Sequence, residues 1–185
     1  MVKKPESKSW YAKVGQTDPL AQGDLLMSVP ILRPDGNLVT MDENVKTIIE
    51  PVNVVVLSQS CDLTRGGKID QVLVAPVYQL KDFLAAKPNW NTEEKLESFR
   101  KNQVARFYLM NVNRSPLFLT GYLLVDFGAV RSVKYKTIIK FKDRAGSRVT
   151  LISPYKEQLS QQFARFFMRV GLPNDIPEFT SKLRI

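Results

Sequence analysis

Histidine is absent from this 185-residue chain, and cysteine occurs once, at position 61. Without imidazole, Ser-His-Asp triads, Cys-His dyads, histidine metal ligands and histidine acid-base steps are all excluded. One thiol cannot form an internal disulfide, nor can it supply the four soft ligands of a structural zinc site. No metal and no organic cofactor is expected: Gly66-Gly67 alone reads as a turn, not a phosphate loop. A magnesium site gathered from Asp24, Asp62 and Asp70 lacks any supporting Asp-x-Asp or Glu-x-Lys spacing. Long apolar runs are missing as well, since stretches such as Val52 to Ser58 fall far short of the roughly 20 residues of a membrane span. The opening MVKKPESKSW has positive charge but no apolar stretch behind it, unlike a secretory signal. With one cysteine, a reducing cytoplasm is the expected compartment.

What is present is positive charge. The net charge is +9 and the pI about 9.7, which makes a polyanion the leading partner class. Residues 131 to 148, RSVKYKTIIKFKDRAGSR, hold seven Lys or Arg against one Asp. Read as a strand, residues 133–142 place Lys134, Lys136, Ile138, Lys140 and Lys142 on one face, and Val133, Tyr135, Thr137, Ile139 and Phe141 on the other. Arg144 and Arg148 flank the Ala145-Gly146 turn and extend the ridge. Such a lysine row either keeps a sheet edge from pairing with other chains or meets nucleic acid. Because Tyr135 and Phe141 point away from the lysines in this reading, it favours phosphate contact over base readout.

A hydrophobic fraction of 44% with 24% charged residues fits one globular domain. Residues 1–18 read as a flexible N-terminal segment, 19–173 as one β-rich domain, and 174–185 as an irregular tail. Strands are expected at LLMSVPIL after Gly23-Asp24, at Leu38 to Thr40 beyond an Arg33-to-Asn37 turn, and at Val45 to Glu50. Pro51 is expected to separate the last of these from Val52 to Ser58, whose Val54-Val55-Val56-Leu57 run argues burial on both faces. Gln71 to Val77 follows, after a polar turn and Arg65-Gly66-Gly67-Lys68. A helical pair, Tyr78 to Ala86 and Asn91 or Thr92 to Asn102, reads as an insertion (about 78–103). Strands resume at Ala105 to Asn111, Phe118 to Phe127, Val133 to Lys142 and Val149 to Ile152. A final helix, capped by Ser153 with Pro154 in its first turn and stopped by Gly171 and Pro173, carries the stripe Leu159, Phe163, Phe166, Phe167 and Val170. The fold class is therefore mainly β (α+β): a strongly bent antiparallel sheet or SH3-like barrel, with the inserted helical pair and a C-terminal amphipathic helix.

The order GDLLMSVPIL, a turn-rich interval, PVNVVVLSQS, a polar loop and QVLVAPV resembles the first half of the MazF/PemK/Kid-type toxin barrel, over Gly23 to Val77. The SQ-x-CD turn and the PYxExL…RVGLP ending also resemble a group of bacterial proteins that share them. Membership of the toxin family implies an SH3-like, often dimeric barrel that cleaves single-stranded RNA without a metal and is held by a protein antitoxin. The family's Glu-x-Gly-Gly-x-Arg-Pro stretch, which carries its catalytic arginine, is absent here, where the interval reads NLVTMDENVKTIIEPVN. The resemblance thus implies the barrel and a nucleic-acid ligand, RNA before DNA, without implying cleavage.

The turn Ser58-Gln59-Ser60-Cys61-Asp62 lies between two apolar strands, and Ser58, Cys61, Asp62, Thr64 and Arg65 are the candidates for chemistry there. Cys61 needs a neighbouring cation to become a thiolate, and Asp62 opposes that. The other reading is a small buried cysteine with Asp62 closing an Asx-turn. Three functions follow: a basic nucleic-acid-binding protein of a toxin or defence system, a non-catalytic protein-interaction module using the terminal aromatic helix, and an enzyme centred on Cys61.

Overall fold

Val54, Val55 and Val56 are wholly buried, and their side chains alternate between two separate cores. That alternation organises the molecule, because a strand apolar on both faces requires cover on both. The computed structural model describes residues 9–34, 47–64 and 69–168. Its strands are β1 (Tyr11–Val14), β2 (Asp24–Pro34), β3 (Thr47–Val56), β4 (Gln71–Gln79), β5 (Phe107–Asn113), β6 (Gly121–Asp126), β7 (Arg131–Lys134) and β8 (Arg148–Leu151). They form one eight-stranded sheet in the order β1-β8-β2-β3-β4-β6-β5, with β7 also paired to β4. Every pairing is antiparallel. Helices α1 (Ser60–Thr64), α2 (Leu80–Ala86), α3 (Glu93–Arg100), α4 (Tyr135–Ala145) and α5 (Tyr155–Phe167) complete the mixed α+β fold.

One face of the sheet, with Leu25, Val55, Val77 and Tyr108, packs against Leu159, Phe163 and Phe166 of α5. The opposite face, with Leu26, Val54, Val56 and Val74, packs against Ile138 of α4 and Leu63 of α1. A third cluster joins Phe99 and Phe83 of the helical insertion to Phe107 and Leu124. The sheet stays open, so the barrel alternative lacks its last pairing. Its two end strands are bridged by a side chain, the Tyr11 hydroxyl donating to the Asn111 carbonyl at 2.6 Å.

Several expectations are corrected. The chain joins the sheet at Tyr11, earlier than residue 19, because β1 pairs with β8. Pro51 lies within β3 instead of separating two strands, opposite Pro30 in the ladder. Neither ring has an N–H to give, so the two occupy a position of the ladder that needs none. The polar turn after β3 is the one-turn helix α1. The strand read over 133–142 ends at Lys134 and continues as α4. Its partner β4 begins at Gln71, opposite Lys134, and after Tyr135 N–H bonds to the Asp70 carbonyl no ladder remains. The following backbone groups pair within a helix instead. Gly146, at φ 67°, provides the left-handed residue that ends it. Helix α5 starts at Tyr155 with Pro154 in the cap position and no side-chain cap, so Ser153 does not serve as one. Leu159 is buried as expected, while Phe167 at its far end is 65% exposed. Leu38 to Thr40, Arg65 to Lys68, Val170, Gly171, Pro173 and the 174–185 tail lie outside the described residues. No helix among the described residues is long and apolar enough to cross a membrane.

The Tyr11 bridge carries a pH dependence. Burial, and secondarily the neighbouring Tyr108, pushes the Tyr11 phenol well above its ordinary value of 10.0. The folded state thus holds this proton more tightly than the unfolded chain. The associated stability is complete below about pH 10 and is lost as pH rises beyond it. Tyr11→Phe is expected to lower stability at neutral pH by about 1 kcal/mol for the lost hydrogen bond. It should also show a shallower fall of Tm above about pH 10 than the parent. Parallel alkaline slopes in thermal melts would show that Tyr11 contributes none of that dependence.

Candidate nucleic-acid interface

The basic ridge expected from the sequence comprises six cations, and the structure divides them. On α4, Lys136, Lys140 and Arg144 recur every fourth residue and are exposed, forming one helical stripe with Lys134 just before it. Lys142 and Arg148 are instead buried. Arg148 donates from Nε to Asp24 Oδ2 at 2.7 Å, from Nη1 to the Gly15 carbonyl, and from Nη2 to the carbonyls of Asp18 and Pro19. Lys142 donates from Nζ to the carbonyls of Gln16 and Asp18. Both cations are used to hold the connection between β1 and β2 against the sheet. Asp24, which also accepts from the Ala21 amide, is thereby committed to Arg148 and not to a metal.

The cysteine turn is likewise mostly a staple. Ser58 Oγ accepts from the Leu73 amide at 2.9 Å, and Ser60 Oγ accepts from the Gln22 amide at 3.0 Å. Thr64 Oγ1 donates back to the Ser60 carbonyl within α1. Cys61 is exposed, against the buried reading, with its sulfur 3.7 Å from Gln59 Oε1 and 3.8 Å from Asp62 Oδ1. Arg65 lies outside the described residues. Among the described residues no three Cys, Asp or Glu side chains gather as a metal site.

The concave surface lies elsewhere. Strand β3 pairs with β4 only over Val54 to Val56, so its earlier half and its partner β2 leave the sheet as a two-stranded ribbon. The ribbon bends at an irregularity between Leu26 and Val29, where Ser28 has φ 52° and its amide bonds to Asn53 Oδ1. Between ribbon and sheet lies a hollow of about 350 Å³, lined by Arg33, Glu50, Asn53, Tyr78 and Arg131 among others. A second hollow of about 440 Å³ shares Ile31 and Arg131 with it and reaches Lys134 and Thr137 at the start of α4. The two hollows adjoin at Ile31 and Arg131 and make up a two-part groove, with Lys134 in one part and Tyr78 in the other.

Arg33, Arg131 and Lys134 line this groove with, among the described residues, the one carboxylate of Glu50, which stands 3.7 Å from Arg33. Tyr78 is 40% exposed. Burial raises its pKa first, the Asp126 and Glu50 carboxylates add to the rise, and Arg106 and Arg131 oppose it, so the phenol stays neutral. Those four charges surround the ring. Sequence reasoning missed Arg33 and Tyr78 because they come from different strands and no spacing connects them. Arg131 belonged to the basic stretch but had no role until the groove placed it.

Compared with known proteins, the chain matches no family model and no curated protein.

Proposed function

We propose that this protein binds single-stranded nucleic acid along the groove between the β2–β3 ribbon and β7. One observation carries the reading: Arg33, Arg131 and Lys134 line two adjoining hollows, one of which holds the exposed Tyr78. Cations spaced along a groove suit a phosphate backbone, and an aromatic face within it suits an unstacked base, which a duplex does not offer. The net charge of +9 and the stripe Lys136, Lys140 and Arg144 leading to Lys134 add a long-range attraction toward a polyanion. RNA is the favoured form, given the likeness of Gly23 to Val77 to the toxin barrel. The cytoplasm, where a lone exposed thiol remains reduced, is the compartment of this activity. The reading is of binding without cleavage, since the Glu-x-Gly-Gly-x-Arg-Pro stretch that carries the toxin family's catalytic arginine is absent.

Fluorescence anisotropy with short labelled oligonucleotides tests it. Affinity for single strands is expected to fall at least tenfold between about 50 and 200 mM salt, with a log–log slope near −0.7 per phosphate contacted. A hairpin duplex of the same length should compete poorly. Absence of binding at about 50 mM salt, or an affinity indifferent to salt, would overturn the proposal.

A further inference from the structure

At Tyr78 the groove meets a larger, open cavity of about 650 Å³ between the helical insertion and the β5–β6 end of the sheet. Its walls include Tyr78, Phe83, Trp90 and Phe107, with Arg106 and Asp126 on one side. Trp90 and Phe107 meet edge-on at 5.5 Å between centroids, giving a fixed aromatic frame.

Arg106 is held in that frame with unusual definition. Its Nε and Nη2 donate to Asp126 Oδ1 and Oδ2, both at 2.8 Å, and Asp126 Oδ1 also accepts from the Gly128 amide at 2.9 Å. The guanidinium lies 5.2 Å from the Phe107 ring centroid. It also runs so close to Gly128 that a Cβ there would stand 2.6 Å from Nε. The Asp126 carboxylate is therefore satisfied, and the Arg106 plane is set by three neighbours. Its remaining edge, Nη1 with the second hydrogen of Nη2, has no protein partner among the described residues, and the side chain is 54% exposed.

A fixed guanidinium edge presents two parallel donors and so selects a flat partner with two adjacent acceptors. Unpaired guanine offers that pair at O6 and N7, and unpaired cytosine offers one at N3 and O2. Adenine sets a donor beside N7, uracil or thymine sets an N–H between its carbonyls, and guanine is favoured over cytosine because its two-ring body covers more of Tyr78. A bare phosphate or carboxylate would satisfy the fork but leave the exposed Tyr78 without a flat body to cover it. We propose that Arg106 reads a guanine splayed out of the single strand into this cavity, with Asp126 and Gly128 positioning the arginine and Tyr78 stacking on the base. This rests on the single-strand reading of the groove.

The test uses the full chain carrying Trp10→Phe, which leaves Trp90 as the one tryptophan. Oligo-uridine strands with one central G, C, A, inosine or 7-deazaguanine, and oligo-thymidine counterparts, are titrated by anisotropy and by Trp90 emission. The G strand is expected to bind about tenfold or more tighter than the A strand and several-fold tighter than the C strand, with inosine close to G and 7-deazaguanine close to A. Trp90 emission should change with G and inosine only. In Arg106→Lys the affinity for the G strand should fall to that for the A strand. Gly128→Ala, which keeps the arginine but pushes it off Asp126, should do the same. The base-analogue series on the otherwise unchanged chain decides the matter even if a variant fails to fold. Affinity for A or for C equal to that for G, with salt-dependent binding intact, overturns the guanine reading and leaves the groove standing. Absence of binding by every strand overturns both. The ribose and deoxyribose arms show which nucleic acid is preferred.

Discussion

Replacing Asp24 with alanine is expected to destabilise the fold by about 3–5 kcal/mol, a large share of the stability of an ordinary domain. The reason is the state of the partner left behind. Arg148 is 2% exposed and cannot reach water, and its remaining bonds are to neutral carbonyls of Gly15, Asp18 and Pro19. A guanidinium with no counter-charge in that position carries its full desolvation cost. Arg148→Met leaves the converse, a buried carboxylate, and also frees the connection between β1 and β2. It is expected to cost a similar amount. The double substitution Asp24→Leu with Arg148→Met removes both charges and should recover a large part of the loss. Urea unfolding of the four proteins provides the comparison through the midpoint at constant m. If each single change costs under about 1 kcal/mol, neither substitution strands a buried charge and the pair behaves as a surface ion pair does.

Charge reversal in the groove is the second large expectation. Arg131→Glu with Lys134→Glu should weaken single-strand binding by about a hundredfold or more at low salt and make the salt slope shallower by roughly 0.7 for each phosphate no longer neutralised. Both side chains are exposed, and the one side-chain bond of Arg131 among the described residues, to the Val130 carbonyl, is local, so stability should change little. The same reversal on the helical stripe, at Lys136, Lys140 and Arg144, is expected to weaken binding less. Those residues supply field along the approach instead of lining the groove. A groove variant that binds like the parent, beside a stripe variant that does not, would move the interface to α4.

Some of this architecture is legible along the chain because it depends on near neighbours. The unbroken run Val54 to Leu57 requires cover on both sheet faces wherever it is placed, and the structure provides it with α4 and α5. Thr92 followed by Glu93 and Glu94 marks the start of α3, and its side chain accepts from the Lys95 amide as a cap. The stretch from Val133 to Lys142 shows where local reading fails. Its alternation of apolar and basic residues fits a strand. Ile138 beside Ile139 is the contrary signal, since a strand would set Ile138 among the lysines, whereas α4 buries it completely. The end of β4 decides between the two by leaving no ladder to extend.

The amino-acid sequence by itself determined the charge excess, the excluded histidine chemistry, the inserted helical pair and the need for a two-sided core. All of these follow from composition or from interactions within a few residues. Tertiary structure alone decided which cations face solvent. Lys142 and Arg148 look like their neighbours in sequence, yet they are drawn inward by carbonyls more than 120 residues earlier. It also decided that Arg33, Tyr78 and Arg131 share a groove, and that Arg106 lies against Asp126 and Gly128. The physical reason is that a cation's role is set by the dielectric and the partners around its tip, and chain folding brings those partners from strands distant in sequence.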